Sequence, residues 1–296
     1  ASVVVLENRR SAISSVPPIV FGSMPNDGGF LLLSNDEKDD LVSKEPQALS
    51  LMRPFIGAAE FINSIPRWCL WLQGVSPATW RALPHVRARI DSVRKYRLAS
   101  KRETTKQLAA TPALFGEIRQ PQDSYLLLPR HSSEGRPFIP IGFLSPEKIA
   151  GDSNMVIPHA SQYHLGILSS TMHMAWVRAV CGRIKSDYRY SAGIVYNNFP
   201  WPEATEKQEA AIAAAAESVL AARKKYPTAT LADLYDPIAM PTELVKAHQA
   251  LDRAVDAAYG KAAFNSEAER VAFLFERYEK VTSVLPSSRA AKRIKQ

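Results

Sequence analysis

The chain has 296 residues, 46% hydrophobic and 22% charged, ordinary for a globular protein and enough to bury a sizeable core. Its net charge of +8 favours a polyanionic partner without requiring one. The only cysteines, Cys69 and Cys181, exclude a disulfide framework and a cysteine metal site, and no apolar run reaches the roughly 18 residues of a membrane span.

In chain order, residues 1–34 read as an extended segment. VVVLE is a short β-branched strand, and PNDGGFLLLS places a turn before an apolar strand. The start has neither a signal-peptide layout nor an initiator Met, so Ala1 reads as the beginning of an excised piece. DEKDDLVSKEPQALSLM predicts a helix capped by Asn35 or Asp36, with Pro46 interrupting it or lying near its end. RWCLWL, residues 67–72, predicts a buried strand holding Cys69, read as a reduced core residue of a cytoplasmic protein.

Residues 81–106 hold nine Lys or Arg against two acidic residues. After Pro84, the residues Val86, Ile90, Val93 and Arg97 mark one helical stripe. Arg87, Arg94, Lys95, Lys101 and Arg102 lie elsewhere on the helix, either as a plain solvated face or as a row of phosphate contacts. SYLLLPR and RPFIPIGFL are two strand candidates joined by the polar turn HSSEG, and the prolines at 137 and 140 make the second irregular or an edge. Arg130, His131, Ser132, Ser133 and Arg136 surround that turn. YHLGILSSTMHMAWVRAVCG predicts one apolar helix that Gly182 terminates.

GRIKSDYRYSAGIVYNNFP follows. Its spacing predicts one strand over 183–190 with Arg183, Lys185, Asp187 and Arg189 on one side and Tyr188 and Tyr190 facing the core. A second apolar segment runs to Phe199. The composition then changes: FPWPEATEKQEAAIAAAAESVLAARKKYP, TELVKAHQALDRAVDAAYG and SEAERVAFLFERYEKV read as helices, the second stopped by Gly260. The predicted class is α+β, a mixed α/β unit over 35–202 followed by an all-helical unit over 203–284. A basic tail occupies 285–296.

The chemistry of a free-standing enzyme is missing. There is no glycine-rich dinucleotide or phosphate loop, no HExxH and no Cys/His cluster with metal spacing, so neither cofactor nor metal is expected here. His159, His164 and His173 read as structural. FPWP has only a weak likeness to the NPP[FY] loop of amino-methyltransferases, with the Asn and the second Pro misplaced.

MPNDGGFLLLS, RPFIGAAEFINSIPRWCLWL, YLLLPRHSSEGRPFIPIGFL, HMAWVRAVCGRIKSDYRYSAGIVYNNFPWP and ALDRAVDAAYG occur in this order over roughly residues 16–284. Together they resemble the C-terminal part of MmeI-like restriction–modification enzymes of the type IIG/IIL class. In that family a nuclease and an adenine-N6 DNA methyltransferase precede a target-recognition domain and a helical C-terminal domain. The resemblance therefore implies a double-stranded DNA recognition module of a longer bacterial, cytoplasmic enzyme. S-adenosylmethionine, with Mg2+ where a nuclease is present, and the methyltransferase domain as intramolecular partner all belong to that longer protein.

The family also implies roles for single residues. Positions matching Lys185 and Asp187 act there as a coupled determinant of one outer base pair, and the Lys/Asp combination resembles the version that reads G. The chemistry fits, because Lys185 can serve the N7 and O6 acceptors of guanine while Asp187 accepts from the cytosine amino group. Arg189, with a position near Ser153, resembles the pair that influences an inner base, although Ser153 departs from the small apolar residue expected there. Arg130, Arg136 and Arg183 join the helix cations as candidate backbone contacts. The competing class is a protein-interaction or scaffold module with non-specific DNA affinity.

Overall fold

The computed structural model describes residues 4–283, so the start of VVVLE and the basic tail lie outside the described residues. The strands are β1 (Val20–Phe21), β2 (Leu32–Leu33), β3 (Met52–Ile56), β4 (Trp68–Leu70), β5 (Tyr125–Pro129) and β6 (His131–Ser132). They continue with β7 (Gly142–Leu144), β8 (Ile149–Ala150), β9 (Asn154–Pro158), β10 (Gly182–Ile184) and β11 (Asp187–Arg189). The helices of the first two hundred residues are α1 (Asn35–Lys44), α2 (Ala58–Asn63), α3 (Pro77–Arg81), α4 (Pro84–Leu98), α5 (Glu103–Gln107), α6 (Gln162–Leu168) and α7 (Thr171–Val180). After them come α8 (Glu206–Lys224), α9 (Leu231–Leu234), α10 (Thr242–Ala258) and α11 (Glu267–Ser283). The architecture is α+β as expected.

Three small sheets carry the first part. One has the order β1–β9–β5–β7, all antiparallel, with β5 and β9 paired from Tyr125↔Pro158 to Pro129↔Asn154. The second runs β2–β4–β3–β8, its last pair parallel. The third is a ribbon, β10–β11–β6. Each of the first two backs its own apolar layer. Leu31, Leu33, Leu70, Ile90 and Val93 fill the layer under α4, where Val86, Ile90, Val93 and Arg97 are the buried stripe that the periodicity predicted. The larger core joins Leu126, Ile157, Trp176, Tyr196 and Phe199 to Ile212, Leu251 and Leu274 of the helical unit, so one apolar core spans both. Close packing of α6 on α8 depends on Gly166, where a Cβ would stand 2.6 Å from Ile212 Cγ2.

Several expectations are corrected. The described part of VVVLE is irregular rather than a strand. Ser34, not Asn35 or Asp36, caps α1, closing a capping box with Glu37. The apolar helix predicted before residue 182 is two helices, broken at Ser169–Ser170, where the Ser170 hydroxyl accepts from His173 N and restarts the chain as α7. Gly182 does not terminate a helix; Val180 is the last helical residue and Gly182 opens β10. Pro46, by contrast, lies near the end of α1 as expected, starting a 3-10 turn two residues after it. The segment after Tyr190 forms a π-helical turn, Ala192–Tyr196, whose Val195 carbonyl accepts from Trp176 Nε1 at 3.0 Å. Cys69 and Cys181 are both free and buried.

Candidate nucleic-acid interface

The stretch expected as one strand is a hairpin. Ile184 pairs with Asp187, Arg183 with Tyr188 and Gly182 with Arg189, leaving Lys185 and Ser186 as a two-residue turn. Lys185 takes φ 54°, the positive backbone angle that tight hairpin turns require and that a non-glycine side chain adopts at a cost on the order of 1 kcal/mol. The turn changes the facing of every charge. Cross-strand partners share a face, so Arg183 lies with Tyr188 and not with Asp187 and Arg189. Its guanidinium stacks 4.6 Å over the Tyr188 ring, bonds the Ser186 carbonyl at 2.9 Å and pairs with Glu134 at 2.8 Å. Arg183 thus braces the turn, and its Nη1 is not free for a phosphate.

Asp187 and Arg189 share the exposed face, with Lys185 exposed at the tip. Asp187 Oδ1 accepts a long bond from Glu134 N at 3.4 Å, which leaves Oδ2 open. The footing beneath is apolar and locked: Tyr188 and Tyr190 are buried, as the alternation predicted. Tyr190 N donates to the Arg130 carbonyl at 2.7 Å, and its hydroxyl lies 3.1 Å from His173 Nε2. His173 is the structural histidine expected; burial drives its pKa down to about 3, so the imidazole stays neutral. The YNNFPWP end is also structural. Phe199 and Trp201 are buried, Asn197 Nδ2 bonds the Arg9 carbonyl at 2.8 Å, and Asn198 Nδ2 bonds that of Glu7 at 2.8 Å. These asparagines fasten the N-terminal segment to the π-helical turn that follows the hairpin, a role the sequence did not disclose.

Ser153 is half-buried and its hydroxyl oxygen accepts from Ala58 N at 2.9 Å, capping α2 from a distance. Its carbonyl accepts from Arg130 N at 3.0 Å, which places Ser153 beside the β5–β6 bend whose Arg130 carbonyl receives Tyr190 N. Arg130 is partly buried, with its guanidinium 4.6 Å over Phe21 and a bond from Nη1 to the Asp152 carbonyl at 3.3 Å. Burial lowers its pKa, with Arg189 adding to the effect. Arg136 lies in a cleft between the Ser133–Gly135 turn and the α9–α10 loop.

The basic helix divides its cations. Arg97 is fully buried and donates to five carbonyls, those of Pro25, Asn26, Leu108, Thr111 and Leu114, at 2.7–2.9 Å. Arg89 donates to the carbonyls of Phe30 and Leu32. Arg87, Arg94, Lys95, Lys101 and Arg102 are exposed, and Arg87 and Arg94, two turns apart, share a face. No three His, Cys, Asp or Glu among the described residues are grouped to hold a metal, and no helix there is long and apolar enough to cross a membrane.

Comparison with known proteins settles what this frame is. The family described as "MmeI, target recognition domain" matches residues 1–203, and "MmeI, C-terminal domain" matches residues 204–286. The chain belongs to the MmeI family. Among solved structures it is similar to the type IIL restriction-modification enzyme MmeI in complex with DNA, with a TM-score of 0.93 and 48% identity over 95% of this chain. Among curated proteins it is 39% identical over 279 residues, 94% of its length, to DNA methyltransferase A of Bacillus subtilis (strain 168). The chain spans 38% of the MmeI chain and 32% of the methyltransferase, about a third of each.

Proposed function

We propose that this chain reads a specific base sequence in the major groove of double-stranded DNA, as the target-recognition part of a longer adenine-N6 DNA methyltransferase of the restriction–modification kind. The observation that carries the reading is the ribbon: an exposed face holding Lys185, Asp187 and Arg189 over a buried tyrosine footing. Its β10–β11 hairpin is a two-stranded ribbon of the kind the major groove admits, and a cation with an anion matches the acceptors of guanine and the amino donor of cytosine in one base pair. Lys185 and Asp187 act together because the turn sets them at the tip and at the first position of β11. Arg189 reads a neighbouring base. Ser153 has the lesser part, since its half-buried hydroxyl already caps α2.

Arg87, Arg94, Lys95, Lys101, Arg102 and Arg136 hold the phosphate backbone and set register without carrying sequence information. Residues 35–202 form the reading unit and 203–284 the helical unit that backs it. S-adenosylmethionine belongs to the longer protein. The glycine turns here do not fit it: Gly28 and Gly29, at φ +68° and +88°, lead to the short strand β2 and not from a strand into a helix N-terminus.

The test is an exchange of Lys185→Glu with Asp187→Arg in the full-length protein, read by sequencing modified adenines in its host. One base of the methylated motif should change. An unaltered motif at full methylation would sink the assignment of these two residues.

A further inference from the structure

The exposed face of the ribbon carries one more polar side chain, which sequence order keeps far from the hairpin. β6 pairs with β11 so that His131 stands opposite Arg189 and Ser132 opposite Tyr188. Gly182 stands opposite Arg189 on the other side. Because partners share a face, His131, Arg189 and Gly182 form one rung, and Asp187 and Ile184 form the next. Ser132 and Tyr188 point the other way and are buried; His131, Arg189 and Asp187 are exposed. A Cβ built on Gly182 would meet nothing within 4 Å, so Arg189 has open space on one side and the imidazole on the other.

We propose that His131 is a further base-contacting side chain, reading together with Arg189 the base pair beside the one read by Lys185 and Asp187. This rests on the reading above that the ribbon enters the major groove. Arginine only donates hydrogen bonds, which suits the two acceptors of guanine. A neutral imidazole adds an acceptor nitrogen to the rung, and an adenine edge, with N7 accepting and the N6 amino group donating, needs one of each. The surroundings keep the ring neutral: partial burial, then Arg130 and Arg189, lower its pKa, against an opposing pull from Asp187. His131 is also placed as a reader should be. Its backbone lies in a ladder on a buried footing, and its side chain is the only one of β6 outside that footing.

The experiment is methylome sequencing of a host carrying the full-length protein with His131→Ala, run beside the wild type and the Lys185→Glu/Asp187→Arg variant. Discrimination should fall about 5- to 150-fold at one base of the motif, and at a different base from the one the double exchange alters. An unchanged motif at wild-type occupancy overturns the proposal. A uniform fall across all sites also overturns it, because that is the behaviour of a phosphate contact. If the double exchange leaves the motif unchanged as well, both the ribbon reading and the proposal on it fall. Should His131→Ala silence methylation, competition binding of the purified full-length protein to duplexes each bearing one substituted base pair decides. Flattened discrimination at a single pair supports the role, and equal loss at every pair overturns it.

Discussion

Helix α4 and the β10–β11–β6 ribbon are both rich in arginine, and the fold treats their charges in opposite ways. In α4 the inward cations are consumed: Arg97 ties five carbonyls together and Arg89 two more, while Arg87, Arg94 and Lys95 point to solvent. In the ribbon the brace is Arg183, and the outward face keeps charges of both signs, Asp187 with Lys185 and Arg189. A helix face of nearly one sign can grip phosphates but has little with which to tell one base pair from another. A ribbon face with donors and an acceptor at fixed spacing can discriminate.

The largest effect expected from this contrast is on stability. Arg97→Met should cost about 3–5 kcal/mol, because five buried carbonyls lose their donor at once. The denaturant midpoint checks it, and a cost below about 1 kcal/mol would return Arg97 to the class of surface cations.

Next comes the buried core under acid. His173, beneath Tyr190, and His248, near Arg223, have pKa values lowered to about 3 against an ordinary 6.5, chiefly by burial. The unfolded chain binds these protons first, so their contribution is complete above pH 6.5 and is lost as pH falls toward 3. The loss is about 1.4 kcal/mol per pH unit for each histidine. Urea midpoints at neutral and mildly acid pH give the slope, and His173→Gln should remove about one proton from it. An unchanged slope would show that His173 titrates in the fold.

The smallest effect separates gripping from reading most sharply. Arg87→Ala with Arg94→Ala should weaken DNA binding for all sequences alike and reduce the slope of log affinity against log salt by about two, with the methylated motif intact. An altered motif would break the distinction between helix and ribbon.

The α4 stripe was legible because apolar residues at helical spacing leave few alternatives, and Arg97 fell on it by position alone. The hairpin was not legible. Lys185–Ser186 has none of the Asn-Gly or Asp-Gly signature of a tight turn, and Lys185 reaches a positive φ with no glycine to announce it. A one-strand reading still placed Tyr188 and Tyr190 inward and Asp187 and Arg189 outward, since those four belong to or directly follow the returning strand. It failed for Arg183, which lies before the turn. The break between α6 and α7 was hidden for a related reason: apolar periodicity runs through Ser169–Ser170, and only the capping geometry of Ser170 marks a new start. His131 was visible merely as part of a polar turn. Its place beside Arg189 is a fact of strand pairing over a long sequence separation, which no local pattern carries.

The buried tyrosines under the ribbon have one more consequence. Because Tyr188 and Tyr190 do the anchoring, residues 131, 185 and 189 are left with little structural duty, and Asp187 with one long bond from Glu134 N. On the proposed reading of these four residues, substitution there leaves the tyrosine footing in place, and a lineage could move to a new target sequence without first acquiring a compensating change elsewhere. The alternation of the strand keeps what must stay constant apart from what is at liberty to vary.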